Sequence, residues 1–236
     1  MKKIRIHSEI LYIIGTFLIA LAVALSISSN FGISVLNGPA YVLSIVFGIR
    51  ITYTEYMIQF LLLILFCIIM KEVKIAFLWC FVTGLIYGGF LRLLQLIPFL
   101  SGTMELHLAI RIIFMILSLL IMALAVSLMS RVYLCSTIYD YFIIAIPKKY
   151  HLKQSWFKLG YDLSFLVIGV SLSLIILHGL VGFGVGTVIF ALLTGPLIGL
   201  YNKLFDKILE VKPIFKKISD YFETTNSKIG QSDEEL

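Results

Sequence analysis

Ala20-Leu21-Ala22-Val23 recurs as Ala123-Leu124-Ala125-Val126, and the register set there carries on along the chain. At the same offset Ser34-Val35-Leu36-Asn37 falls on Thr137-Ile138-Tyr139-Asp140, and Gln59 falls on Asp162. After an insertion of about eight residues in the second copy, Thr83-Gly84 with Gly88, Arg92 and Leu93 matches Thr194-Gly195 with Gly199, Lys203 and Leu204. Each copy holds an odd number of long apolar runs. The second copy is therefore expected to lie upside down relative to the first, an arrangement common in transporters.

Composition says where such a chain lives. It is 60% hydrophobic and 14% charged, with a mean hydropathy of +1.04. A soluble domain of this length cannot hide so much apolar surface, so the class is an all-α polytopic membrane protein. Phe and Tyr dominate the aromatic residues, as interfacial belts require. The net charge of +6 comes from residues between the apolar runs and in the tail. Lipid headgroups and the positive-inside rule account for it, so no nucleic-acid partner is expected. Cys67, Cys80 and Cys135 show no ligand spacing and read as small packing residues rather than a disulfide or metal site.

Six spans are expected, at 10–29, 54–70, 75–97, 106–129, 156–178 and 185–202. Two apolar segments, 34–47 and 137–146, are too short to cross and read as interfacial or re-entrant half-helices; protein or a cavity must cover such backbone at membrane depth. The chain divides into a first membrane repeat (1–101), a second (102–204) and a cytoplasmic amphipathic helix, broken by Pro213, with a polar tail (205–236). Lys2, Lys3 and Arg5 precede the first span, Lys71 and Lys74 follow the second, Arg131, Lys148, Lys149 and Lys153 follow the fourth, and Lys207, Lys212, Lys216 and Lys217 follow the sixth. The positive-inside rule then puts both termini in the cytoplasm. Met1–His7 with the run after it has the outline of a signal peptide, but the apolar run continues to Ile27 and its Ala-Leu-Ala-Val motif recurs internally, so it is read as a span.

Polar groups within spans are costly, and here they come in repeat-related pairs. Asn37 and Asp140 each stand three residues after a hydroxyl, Ser34 and Thr137. That spacing suits a helix cap; equally, it suits half-helix ends that point into a substrate or ion path. Gln59 and Asp162 form the second pair. Asp162 has Lys158 one turn earlier, so either an ion pair or a cavity-facing proton-coupling acid is expected. Arg92 with Lys203 is the third. Glu55, Arg92 and Arg111 all fall near the outer ends of spans and could form an outer charge cluster, either an anchor or an anion-attracting vestibule.

Gly84 and Gly88, and Gly195 and Gly199, recur at four-residue spacing beside Thr83 and Thr194, which lets helices approach closely. Spans three and six are therefore expected to cross at the pseudo-twofold axis, with Pro196 kinking span six. The glycines Gly182, Gly184 and Gly186 make the start of span six loose. The four histidines are scattered and no nucleophile elbow exists, so neither an enzyme nor a cofactor or metal is expected.

Asn30-Phe31-Gly32-Ile33-Ser34, continuing through Asn37 to Phe47-Gly48, resembles the first repeat of the bacterial YczE/YyaS/YitT-type membrane proteins. The run from Thr137 through Asp140 and Asp162 to Gly184-Val185-Gly186-Thr187 and Thr194-Gly195-Pro196-Leu197 resembles the same family more closely. Where such proteins often carry Ser-Pro followed by an aspartate, this chain has Ser34-Val35 and Asn37, and the second copy keeps Asp140 but has Ile138 in place of proline. The resemblance implies a bacterial cytoplasmic-membrane protein, with relatives suspected of exporting small molecules. Residues and resemblance together lead to a small secondary transporter of an amphipathic molecule, with Ser34, Asn37, Gln59, Thr137, Asp140 and Asp162 along its path. A homodimer is one way for so small a chain to enclose a path. The alternative is a non-transporting accessory subunit that uses the amphipathic tail as its contact.

Overall fold

The computed structural model describes residues 4–152 and 154–228. A strand β1 (Ile4–His7) leads into helix α1 (Ser8–Ser29). There follow a 3-10 turn (Val35–Asn37), the short helix α2 (Gly38–Phe47), and the long helices α3 (Ile51–Met70) and α4 (Ile75–Leu94). The order then repeats: a long helix α5 (Leu108–Met129), a short one α6 (Ile138–Lys149), and two long ones, α7 (Gln154–Leu177) and α8 (Val185–Ile208). A strand β2 (Leu209–Lys212) and helix α9 (Lys216–Lys228) close the described chain. Among the described residues six helices are long and apolar enough to cross a membrane: α1, α3, α4, α5, α7 and α8. At about 1.5 Å per residue, helices of this length match a hydrocarbon core of about 30 Å.

Local chemistry sets the ends. α1 stops where Asn30 turns left-handed (φ 51°) and its N–H returns to the Ile27 carbonyl. α4 ends at Leu94, three residues short of the expected span, because Pro98 holds Ile97 extended and a 3-10 turn takes over at Pro98–Leu100. Pro147 does not end α6, which runs on to Lys149; the Lys149 ammonium then donates to the carbonyl of Met70 (3.0 Å), capping α3. Pro196 likewise lies within α8 rather than at its end.

The recurring Ala-Leu-Ala-Val stretches sit in the middle of the molecule. α1 and α5 pack along one another, and Ala20, Ala22, Ala24, Ala123 and Ala125 are all fully buried there. Small side chains allow the close approach that helix association in lipid depends on. α4 then packs on α1, α8 on α5, and α3 on α4. The expected crossing of α4 and α8 is not the one that forms. Gly84 and Gly88 instead receive Gln59 and Tyr56 from α3, while Gly195, Pro196 and Gly199 are exposed. Sequence spacing marks a helix face but does not name its partner.

The two short helices pack inward among the long ones. α2 packs against α3 and α7, and α6 lies against α3, α4 and α7. An aromatic core holds α6 in place: Phe66 meets Phe77 edge to face with centroids 4.9 Å apart, Tyr141 at 5.4 Å and Phe142 at 5.6 Å. The segment before α2 is pinned to the start of α8. Gly186 N–H donates to Phe31 O (2.8 Å) and Ile33 N–H to Gly182 O (3.0 Å). A Cβ at Gly184 or Gly186 would meet the Phe31 carbonyl, so these glycines serve a close backbone contact rather than a loose start.

The C-terminal segment differs from the expected amphipathic helix. α8 continues to Ile208, and Leu209–Lys212 forms a strand paired in parallel with Ile4–His7. Both stretches alternate apolar and charged residues, a period-two pattern that suits a strand. Pro213 breaks the chain as expected, and α9 folds back so that Phe222 is buried beside Trp79 and Tyr133. Glu9 accepts from Tyr133 Oη (2.8 Å) and from the Ile214 and Phe215 amides (2.9 and 3.2 Å). Arg131 donates to Asn202 and to Asp206 at 2.6 Å. The basic groups Arg5, Lys149, Arg131 and Lys212 thus gather at one end. Lys2, Lys3, Lys153 and the tail beyond residue 228 lie outside the described residues.

Candidate functional site

The starts of the two short helices meet at a cavity of about 270 Å³. Ser34 and Asn37 reach it from the turn before α2, Thr137, Tyr139 and Asp140 from the start of α6, and Lys158 and Asp162 from α7. Tyr87 of α4 and Thr194 of α8 complete the polar part. Ile19, Met122, Val126, Phe190 and Ile198 supply apolar wall from α1, α5 and α8. One chamber therefore offers hydroxyls, an amide, two carboxylates and an ammonium beside a hydrocarbon surface.

Helix capping does not occupy these side chains. Neither Ser34 and Asn37 at the start of α2 nor Thr137 at the start of α6 caps a backbone N–H with its side chain. Thr137 Oγ1 instead donates to Asp140 Oδ2 at 3.4 Å. Asp162 Oδ2 accepts from Lys158 at 3.0 Å, the intrahelical pair that the spacing suggests, and its Oδ1 is buried with no hydrogen-bond partner. Asp162 is thus both ion-paired and part of the cavity lining. Asp140 has no ion pair of its own among the described residues.

Gln59 departs from its repeat partner. It is fully buried in α3 beside Gly84, away from the cavity lining, and both of its amide atoms lack partners. A Cβ at residue 84 would fall on the Gln59 amide. Thr83 bonds the Tyr12 hydroxyl (2.7 Å) and the Cys135 carbonyl (2.9 Å), joining α4 to α1 and to the segment before α6. Thr194 bonds back to Phe190 O (2.6 Å) and lines the cavity.

The expected outer charge cluster does not form. Arg92 is exposed, 6.0 Å from the Tyr53 ring centroid. Arg111 donates to the carbonyls of Ser29 (2.8 Å) and Asn30 (3.0 Å) and covers the Phe31 ring, so it caps α1. Glu55 has turned inward. It is fully buried, accepts from the Tyr139 hydroxyl at 3.0 Å, and leaves Oε1 without a partner. Its position near a helix start reads as interfacial in the sequence; the packing of α2, α4 and α6 on α3 buries it. Tyr87 and Tyr139 carry no repeat signal that would single them out among the aromatic residues.

The family of unknown function DUF6198 matches residues 6–203, and the chain belongs to that family. No curated protein and no solved structure gives a significant match.

Proposed function

We propose that this DUF6198 member is a small secondary transporter of the cell membrane that carries an amphipathic molecule through the cavity between its two short helices. One observation carries the reading: Ser34, Asn37, Thr137 and Asp140, paired by the internal repeat, line the same chamber.

Further support is architectural. The order long, short, long, long occurs twice, and the packings correspond: α1 on α4 with α5 on α8, and α2 against α7 with α6 against α3. An inverted repeat with its axis between α1 and α5 accounts for both. On this reading the end that gathers Arg5, Lys149, Arg131 and Lys212 is cytoplasmic, in accord with the positive-inside rule. The α7–α8 side lacks the tight packing seen between α3 and α4, which leaves one flank of the chamber free to rock.

The chamber's chemistry narrows the cargo. Lys158 pairs with Asp162 and its charge also reaches Asp140, so two carboxylates share one ammonium and the chamber keeps a net negative charge for a cationic head, while Met122, Val126 and Phe190 take an apolar tail. Octyltrimethylammonium and octyl sulfate are probes of equal tail and permanent, opposite charge. Reconstituted protein should exchange labelled octyltrimethylammonium in preference to octyl sulfate, and Asp140→Asn should abolish the preference. Exchange of neither probe above protein-free vesicles would count against transport of amphiphiles.

The docked tail weighs against the accessory-subunit reading. Phe222 of that tail is already buried against Trp79 and Tyr133, while Ile214, Phe215, Ile218 and Tyr221 remain exposed.

A further inference from the structure

Glu55 belongs to no part of the cavity lining, yet it is the most anomalous group in the molecule. It is fully buried, one hydrogen bond reaches it, and Oε1 has no partner. Gln59, one turn on along α3, is fully buried with both amide atoms unpartnered, and the Tyr87 hydroxyl on α4 is buried and unpartnered as well. The groups that face Glu55 are Tyr139 from α6 and Gln59 from its own helix, with Tyr87 from α4 close by. From α2, the packed neighbour on the remaining side, the nearby polar contact is Thr54 Oγ1 to the Ala40 carbonyl (2.7 Å), which involves no charge. Asp140, beside Tyr139 in sequence, looks into the cavity. Arg92 on α4 is exposed over Tyr53. No cation among the described residues therefore faces the Glu55 carboxyl.

A carboxylate removed from water without a counter-charge is strongly disfavoured. What neutralises it must come from outside the protein. A metal ion needs room and several oxygens, whereas Gln59 fills the space against Gly84. A proton needs no room, and it neutralises the carboxyl where no cation faces it. A route exists as well, because Tyr139 both donates to Glu55 Oε2 and lines the cavity.

We propose that Glu55 is the proton carrier of this transporter and exchanges its proton with the cavity through the Tyr139 hydroxyl. The step balances: the carboxyl proton passes to the tyrosine oxygen while the tyrosine proton passes to water or a solute base in the cavity. A carboxylate and a restored neutral phenol remain, and the return step is the reverse. The role rests on the transport reading above, which supplies the need for coupling. The sharing of work is also clear: Asp140 meets the cargo, Glu55 meets the proton, and Tyr139 lies between them.

Infrared spectroscopy of the reconstituted protein tests the proton directly. At neutral pH the wild type should show the carbonyl stretch of a protonated carboxylic acid. Glu55→Gln should remove it, Asp140→Asn and Asp162→Asn should keep it, and Tyr139→Phe should keep it but slow its exchange with deuterium. A band unchanged in Glu55→Gln would overturn the proposal, as would exchange unaffected by Tyr139→Phe. A band that responds to sodium rather than to pH would replace the proton with a metal cation. The coupling arm uses octyltrimethylammonium, which cannot cross as a free base. Glu55→Gln should lose uptake driven by an imposed pH gradient while retaining gradient-free exchange. Gradient-driven uptake that survives in Glu55→Gln would overturn the coupling role. Absence of all exchange in the wild type would remove the transport reading and coupling with it, while the band still reports the buried proton.

Discussion

Ser118 of α5 donates a 2.5 Å hydrogen bond to the main-chain carbonyl of Ala22, within the Ala-Leu-Ala-Val stretch of α1. Only small side chains let a serine reach a neighbouring helix backbone in this way. Ala22→Leu or Ala125→Leu should cost about 1–3 kcal/mol by overpacking, and Ser118→Ala about 1 kcal/mol. Thermal unfolding in detergent checks both. Leucine substitutions without effect would mean that the α1–α5 seam is looser than its alanines indicate.

The fit of Gln59 against Gly84 gives a paired test. Gly84→Ala should destabilise the protein by about 1–3 kcal/mol, since the new methyl meets the Gln59 amide. Removing the obstacle should recover part of the loss. The double variant Gly84→Ala with Gln59→Ala should therefore be more stable than Gly84→Ala alone, a coupling of contacting residues that a double-mutant cycle reads.

Arg92 and Arg111 separate a solvated charge from a helix cap. Arg111→Ala removes two hydrogen bonds to the end of α1 and should cost about 1.5–3 kcal/mol. Arg92→Ala, exposed over Tyr53, should stay within about 0.5 kcal/mol. Equal losses in melting experiments would restore the idea of a joint outer cluster.

The strand pair carries a pH dependence of known sign. Hydrogen bonds from Lys212 and then Arg5 hold the Glu210 carboxyl below its ordinary value. A group lowered on folding stabilises above its unfolded value and loses that contribution as pH falls through its folded value. The β1–β2 pairing should therefore be intact at neutral pH and weaken below about pH 4. Protection of the residue 209–212 amides, measured against the intrinsic exchange rate at each pH, should fall on acidification in the wild type, and Glu210→Gln should flatten that response.

Much of the chamber is legible in the sequence, and for a physical reason. A repeat places equivalent residues at equivalent points of its two copies, so aligning Ser34 and Asn37 with Thr137 and Asp140 finds groups that the starts of the two short helices bring to one cavity. Length alone marks the half-helices, since 34–47 and 137–146 cannot span. Other features depend on what covers a residue. Glu55 reads as interfacial until α2, α4 and α6 are packed against α3. The glycines of α4 announce a close contact, but whether α8 or α3 fills it is decided by side-chain shape, here Gln59 and Tyr56. Strands β1 and β2 pair across almost the whole chain, and four alternating residues at each end give too short a pattern to be read alone.

The central claim is that the chamber opens to both sides of the membrane in turn. Asn37→Cys, introduced after Cys67, Cys80 and Cys135 have been replaced, places a thiol in the cavity lining. Membrane-impermeant thiol reagents can then be applied from one side or the other of oriented vesicles. The account predicts labelling from both sides, with octyltrimethylammonium changing the two rates in opposite directions. Labelling confined to a single side, unmoved by the probe, would contradict it.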